Sequence, residues 1–332
     1  MDRKLKYIGT FRSFNDFPSY KSVFEWEDVI VKKLNLSFLY WQKWQLRLFR
    51  LIELLSLDSI YLSLMPKKRH VSILYDMVAG KNKRCLFDSN TIPVIIDFWI
   101  PADELKTFYE FYKFCPLVLV TSKEVYEFLK SHNCPLNIDH WPLSLPDTVK
   151  IEAKEKKFEF CFIGRKDPFF VEMIERYSKE HSDFEYVLNN DNIQEREYIT
   201  NKGKYIMKDT GRDSYFNIIR QTKICVYTTP GYDKAKWQSD EFNQVTPRVM
   251  EMLSGGCYVL GHYPINADTI FYHLSSMVPQ IKSYEDFCCY MEKYRKAPAR
   301  DISECKTYLT MHNTTSRIPL LMKILEKNGI GY

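Results

Sequence analysis

The sequence predicts an α/β chain of two doubly wound domains. Three observations carry that expectation. Short apolar runs of strand length alternate with stretches of helical spacing, the pattern of parallel sheets wrapped by helices. The alternation occurs twice, on either side of a Pro-punctuated connector at 140–147 and a charged stretch at 150–157. A chain of 332 residues is long enough for two cores at roughly 150 residues each.

In the first half, 6–11 reads as a strand and the loop 12–19 carries the turn residues Asn15, Asp16 and Pro18. Helical spacing follows over 20–34. A second amphipathic helix over 41–55 places Trp44, Leu48, Leu51, Ile52 and Leu55 on one face. Residues 59–64 read as a strand. The run Pro93-Val94-Ile95-Ile96-Asp97 is apolar until its last residue, as expected of a buried parallel strand and its end. A helix over 102–112, a strand over 117–121, and a helix over 123–131 capped by Ser122 complete this half. In the second half, strands are expected over 158–163, 184–188, 223–227 and 258–261, and helices over 168–181, 214–221, 246–253, 284–294 and 315–326.

Hydrophobic residues make up 45% and charged residues 27%, which excludes a disordered chain. No apolar run reaches the ~18 residues of a membrane span. Nine cysteines, an odd number without a C-x-x-C, read as buried or reduced thiols, and a cytoplasmic setting is expected. No metal site is expected. Net charge is +5, yet residues 1–70 hold 13 basic against 7 acidic side chains. A solvated basic face explains that, or a surface that sits at the inner face of an anionic membrane. No nucleic-acid module signature appears, and no nucleic-acid partner is expected.

In parallel sheets ligands gather beyond the carboxyl ends of the strands, where free N–H groups favour anions. Two segments suit that position. Phe162-Ile163-Gly164-Arg165-Lys166-Asp167-Pro168 is a strand end, a glycine turn, two cations and a Pro-started helix. Gly164 lets the backbone approach a phosphate and Arg165 can grip it with two donors. The second segment runs from Asn243-Gln244-Val245 through Thr246, a suitable N-cap, to Pro247, Arg248 and Glu251, and ends at Gly255-Gly256. Glu251 stands three residues from Arg248 and can simply pair with it.

With Cys225-Val226-Tyr227-Thr228 between them, these segments resemble the nucleotide-binding half of a GT-B glycosyltransferase of the family 1/4 type, over roughly a third of the chain. The resemblance implies two Rossmann-like domains facing a cleft: an acceptor-side domain over 1–147 and a nucleotide-sugar domain over 148–332, its last helix able to pack back on the first. It implies transfer of a sugar from a nucleoside diphosphate donor to a glycan or lipid-linked acceptor in surface polysaccharide synthesis. The donor is a substrate, so no cofactor is expected. The implied donor-binding residues are Gly164, Arg165, Lys166, Thr228, Asn243, Gln244, Thr246, Arg248 and Glu251. Arg165 resembles the family's diphosphate-binding arginine and Glu251 its ribose-binding glutamate.

Where the family's first glutamate stands, this sequence has Asn243, with Glu241 two residues away. The lysine partner of the arginine has three candidates, Lys166, Lys234 and Lys236. The family pattern leans towards retention of configuration. In an inverting reaction Asp97 or Asp16 would serve as general base. No Asp-x-Asp occurs, so a metal-independent reaction is expected, with cations offsetting the leaving-group charge. Two other readings stay open: a sugar-nucleotide epimerase or hydrolase of the same fold, and a scaffold that binds nucleotide sugar without catalysis.

Overall fold

The computed structural model describes residues 3–15, 17–190, 197–232 and 242–332. It divides the chain into one unit of residues 1–147 with 313–332, and a second of 148–312.

The first unit is built on a parallel sheet. Its strands are β1 (Arg3–Thr10), β2 (Ser37–Tyr40), β3 (His70–Val78), β4 (Thr91–Asp97), β5 (Val118–Val120), β6 (Ile138–His140) and β13 (Ile330–Gly331), in the order β13-β1-β3-β4-β5-β6, with β2 also pairing on β1. The central strands β3 and β4 are buried along most of their length. Thr91 to Ile96 in β4 are all buried, and only the closing Asp97 is half-exposed. The helices are α1 (Pro18–Leu34), α2 (Lys43–Leu54), α3 (Asp58–Leu64), α4 (Leu105–Tyr112), α5 (Lys123–Ser131) and α12 (Thr314–Lys327). Ser122 caps α5 by accepting from the Val125 N–H, as its residue type predicts. α12 belongs here because Ile318, Leu321, Ile324 and Leu325 complete a core with Ile8, Trp26, Ile30, Ile73 and Val94.

One expectation fails in this unit, and one long strand was not foreseen. Residues 59–64 form the helix α3 and not a strand. A short apolar run is ambiguous by periodicity, and here Leu57, Ile60 and Leu64 recur at helical spacing behind Asp58 in the first turn. β3, unanticipated, carries the buried carboxylate Asp76, which masks its strand pattern.

The second unit has strands β7 (Phe158–Phe162), β8 (Tyr186–Asn189), β9 (Glu197–Thr200), β10 (Tyr205–Lys208), β11 (Thr222–Thr228) and β12 (Tyr258–His262), in the order β10-β9-β8-β7-β11-β12. β8, β7, β11 and β12 run parallel; β9 and β10 are antiparallel additions. Helices α6 (Pro168–Glu180), α7 (Arg212–Gln221), α8 (Arg248–Ser254), α9 (Ala267–Phe271), α10 (Tyr284–Lys296) and α11 (Ile302–Met311) pack around this sheet. The chain leaves β7 for β8 on one side and later returns to β11 on the other. The strand order therefore reverses at β7/β11, where such sheets hold ligands.

α8 ends in a Schellman motif. Gly256, at φ 67°, donates to Leu253, and Cys257 donates to Met252. Gly255 is needed for a different reason: a Cβ there would meet Ile219 of α7 at 2.7 Å.

Candidate functional site

The carboxyl edge of the second sheet gathers several expected residues around one turn. After β7 the chain turns at Gly164, with φ +84°, a conformation favoured by glycine. The Gly164 N–H donates to Asn189 Oδ1 at 2.7 Å, tying the turn to the end of β8. Arg248 Nη2 donates to the Ile163 carbonyl and lies directly under the turn; a Cβ on Gly164 would fall 1.7 Å from it. Arg165 is exposed beside the turn, and Lys166 is half-buried.

Asp167 caps α6 by accepting from the Phe169 N–H at 3.0 Å, and its other oxygen meets His262 Nδ1 at 2.6 Å. The His262 ring is stacked between Phe169 at 3.9 Å and Tyr232 at 4.6 Å. This aromatic stack at the end of β12 was not expected. A lone histidine after an apolar strand carries no motif, and its partners lie far off in sequence.

Thr228 closes β11, and next to it Thr229 donates to Asn243 Oδ1 at 3.0 Å. Asn266 Nδ2 donates to the Asn243 carbonyl at 3.0 Å. Asn243 and Gln244 are both buried, so they form the floor of this edge. The Thr246 N–H donates to the Tyr227 hydroxyl at 3.0 Å, which fixes the entry to α8. Thr246 is not the N-cap: the helix starts one residue later, with Pro247 in the cap position and no side-chain cap bond. Glu241, Lys234 and Lys236 lie outside the described residues.

Glu251 does not pair with Arg248. Its Oε1 accepts from Arg212 Nη1 at 2.8 Å, both side chains being largely buried. Arg212 opens α7 behind Gly211, at φ 100°, and its guanidinium also lies over Phe216 at 4.9 Å. Sequence reasoning missed Arg212; the one signal that could have found it is a second glycine–arginine pair before a helix, echoing Gly164-Arg165. The Tyr215 hydroxyl is buried with no hydrogen-bond partner among the described residues. Burial pushes it well above the usual tyrosine range; the nearby Glu251 carboxylate adds to that and the Arg248 cation opposes it. The hydroxyl, with Glu251 and Arg248 nearby, keeps its hydrogen-bonding capacity for a polar ligand or a water.

In the first unit the expected acceptor-side residue Asp97 closes β4, opposite Val78 of β3. Asp16 lies outside the described residues. Phe98, next to Asp97, belongs to the core: it is buried, edge-on to Phe108 at 5.1 Å. Two buried carboxylates were missed. Glu27 on α1 accepts from Thr10 Oγ1 at 2.7 Å and Arg12 Nε at 3.0 Å. Burial still pushes it up to about 7 against those bonds. Asp76 accepts from the Tyr112 hydroxyl at 2.5 Å and Asn82 Nδ2 at 3.3 Å, and burial raises it to about 7 as well. Nothing local marks either one, since acids inside apolar segments become buried only when the other elements close over them.

These acids set a pH dependence. Unfolded, Asp76 loses its proton near pH 4, at roughly the ordinary aspartate value. Folded, it keeps the proton up to about 7. The folded state binds more protons in that window, so its stability falls as pH rises through it and levels off above. Asp76→Asn cannot ionise and should flatten part of that fall, Glu27 supplying the rest. Urea unfolding of both proteins at pH 5 and pH 8 checks this; parallel profiles would remove Asp76 as a source.

Among the described residues, no group of three or more His, Cys, Asp or Glu side chains is placed to hold a metal ion, and no helix is long and apolar enough to cross a membrane. No family model and no curated protein matches the sequence. Solved structures do match. An α,α-trehalose-phosphate synthase (UDP-forming) from Burkholderia vietnamiensis aligns over 97% of this chain and 100% of its own, at 6% identity and TM-score 0.54. TarM of S. aureus, in a complex with fondaparinux, α-GlcNAc-glycerol and UDP, aligns over 81% of this chain at 11% identity and TM-score 0.51. The pneumococcal O-GlcNAc transferase GtfA, bound to UDP and GlcNAc, aligns over 82% of this chain at 12% identity and TM-score 0.48. The chain spans only 58% of TarM's length and 59% of GtfA's. Its two Rossmann-like units with parallel sheets have the GT-B fold.

Proposed function

We propose that this chain transfers a sugar from a nucleoside diphosphate sugar to a glycan or lipid-linked acceptor. The observation that carries the reading is the turn at Gly164. A positive-φ glycine is backed by the Arg248 guanidinium, with Arg165 exposed beside it, at the point where the strand order reverses. That arrangement suits a diphosphate. Arg165 and Lys166 carry its charge, and Glu251, held by Arg212, takes the ribose hydroxyls. Asn243 and Gln244 form the floor, and Thr228 and Thr246 its edges. UDP accompanies both TarM and the UDP-forming synthase, which supports a nucleotide donor.

The leaving diphosphate is stabilised by cations and needs no divalent metal, since the chain has no Asp-x-Asp. Retention remains the favoured stereochemistry; if the reaction inverts, Asp97 is the candidate base. The setting is the cytoplasm, where nine free thiols stay reduced, and surface polysaccharide synthesis is the pathway class.

Calorimetry with UDP, GDP, ADP and CMP, followed by donor turnover in EDTA, tests the reading. One nucleoside diphosphate should bind, and turnover should survive EDTA. Arg165→Ala should weaken that nucleotide roughly ten- to hundredfold, the value of a charge-assisted hydrogen bond. Unchanged affinity removes Arg165 from the site. Loss of activity in EDTA with recovery in Mn²⁺ refutes metal independence. Turnover without any acceptor favours the epimerase or hydrolase alternative; binding without turnover favours a scaffold, for which the amide Asn243 in place of a carboxylate speaks.

A further inference from the structure

Among the described residues, ten of the fifteen exposed large hydrophobic side chains fall between 39 and 64, so that exposed apolar surface is concentrated and not scattered. The spacing on α2 orders it. Phe49 is buried, packed edge-on against Trp41 at 5.8 Å and tilted against Tyr61 at 5.8 Å, and it fixes which side of the helix faces the protein. Trp44, Leu48, Leu51 and Leu55, at steps of four, three and four, form one exposed row. Lys43, Arg47, Arg50 and Leu54 form the next row, also exposed. On α3, Leu57, Ile60 and Leu64 repeat the outward apolar pattern while Leu62 is buried.

Positive charge is concentrated in the same stretch of the sequence. Residues 32–69 hold eight Lys and Arg against two acids, Glu53 and Asp58. Both acids are already engaged. Glu53 accepts from the Arg84 N–H at 2.6 Å and faces Lys83 at 3.6 Å, and Asp58 pairs with Arg84 at 2.5 Å. Lys43, Arg47, Arg50, Lys67, Lys68 and Arg69 stand exposed.

We propose that α2 and α3 are a docking face for an anionic lipid surface, with the helix lying in the plane of the headgroups. The apolar row enters the acyl boundary, Trp44 sits at the interface, and the adjoining cations meet lipid phosphates. A second copy of the chain fits this face poorly, because pairing two such faces brings like charges together. The proposal stands on the first unit's surface and does not rest on sugar transfer.

Co-sedimentation of the full chain with vesicles tests it, using phosphatidylcholine alone and phosphatidylcholine with 30% phosphatidylglycerol. The chain should partition onto the anionic vesicles and much less onto the neutral ones. Arg47→Gln with Arg50→Gln should cost about fivefold per charge on anionic vesicles and little on neutral ones. Trp44→Ser, Leu48→Ser and Leu51→Ser together should cut partition at least tenfold on both. All five positions are exposed, so melting temperature should hold in both variants, and the charge variant decides alone if the apolar one unfolds. Partition that neither variant changes overturns the proposal. So does a dimer in solution, broken by the serine variant, in a protein that binds no vesicle.

Discussion

Glu251→Gln is expected to lower the stability of the second unit by roughly 2–3 kcal/mol. Glu251 and Arg212 are paired at 2.8 Å with side chains 9% and 15% exposed. Removing one charge of a buried pair strands the other, a loss of about 3–5 kcal/mol. The amide can still accept from Arg212, which places the expectation below that range. The same substitution tests the donor role. A glutamine offers the ribose weaker acceptors, so nucleotide affinity should fall by about 1–2 kcal/mol in the folded protein. Melting and calorimetry on one variant separate the two roles. Lost stability with intact affinity leaves Glu251 as a brace for α7 and α8 and defeats the ribose assignment. Unchanged melting would mean that the pair contributes little.

Gly164→Ala is expected to cost about 3 kcal/mol in all and to disable nucleotide binding. The first part is backbone. At φ +84° an L residue is strained by about 1–2 kcal/mol. The second part is Arg248. The new Cβ would fall 1.7 Å from its Nη2, so the guanidinium must swing away from the Ile163 carbonyl. That gives up a charged hydrogen bond of about 1.5–3 kcal/mol, partly recovered in solvent. Arg248→Ala provides the control. In that background Gly164→Ala should cost only the backbone part, because nothing remains to be displaced. Equal losses in both backgrounds would show that Arg248 does not support the turn.

The amino-acid sequence by itself determined the α/β class, the alternation in both halves and most of the long elements. Those rest on local physics. β4 is apolar from Ile92 to Ile96, as a strand buried on both faces requires, and Ser122 caps α5 through its own hydroxyl. Gly164 with Arg165, and Arg248 in a second segment, could be picked out as candidates because a glycine and cations beside a strand end or a helix start suit an anion. α3 was misread and β3 passed over, because a seven-residue apolar run and a strand broken by Asp76 carry no decisive period.

The tertiary structure alone decided the partnerships. Arg212 and Glu251 are 39 residues apart, and only the packing of α7 against α8 brings them together, displacing the nearer Arg248 to the Gly164 turn. Asp167, His262, Phe169 and Tyr232 meet because β12 ends beside the start of α6. Glu27 and Asp76 hold their protons to about 7 because of burial, and burial is set by the whole unit. The apolar row of α2 shows the same division. Its spacing was plain in the sequence, but whether it faced the core or the solvent turned on Phe49, the one residue of that helix that is buried. Periodicity specifies a face, and only the assembled neighbours decide which way it points.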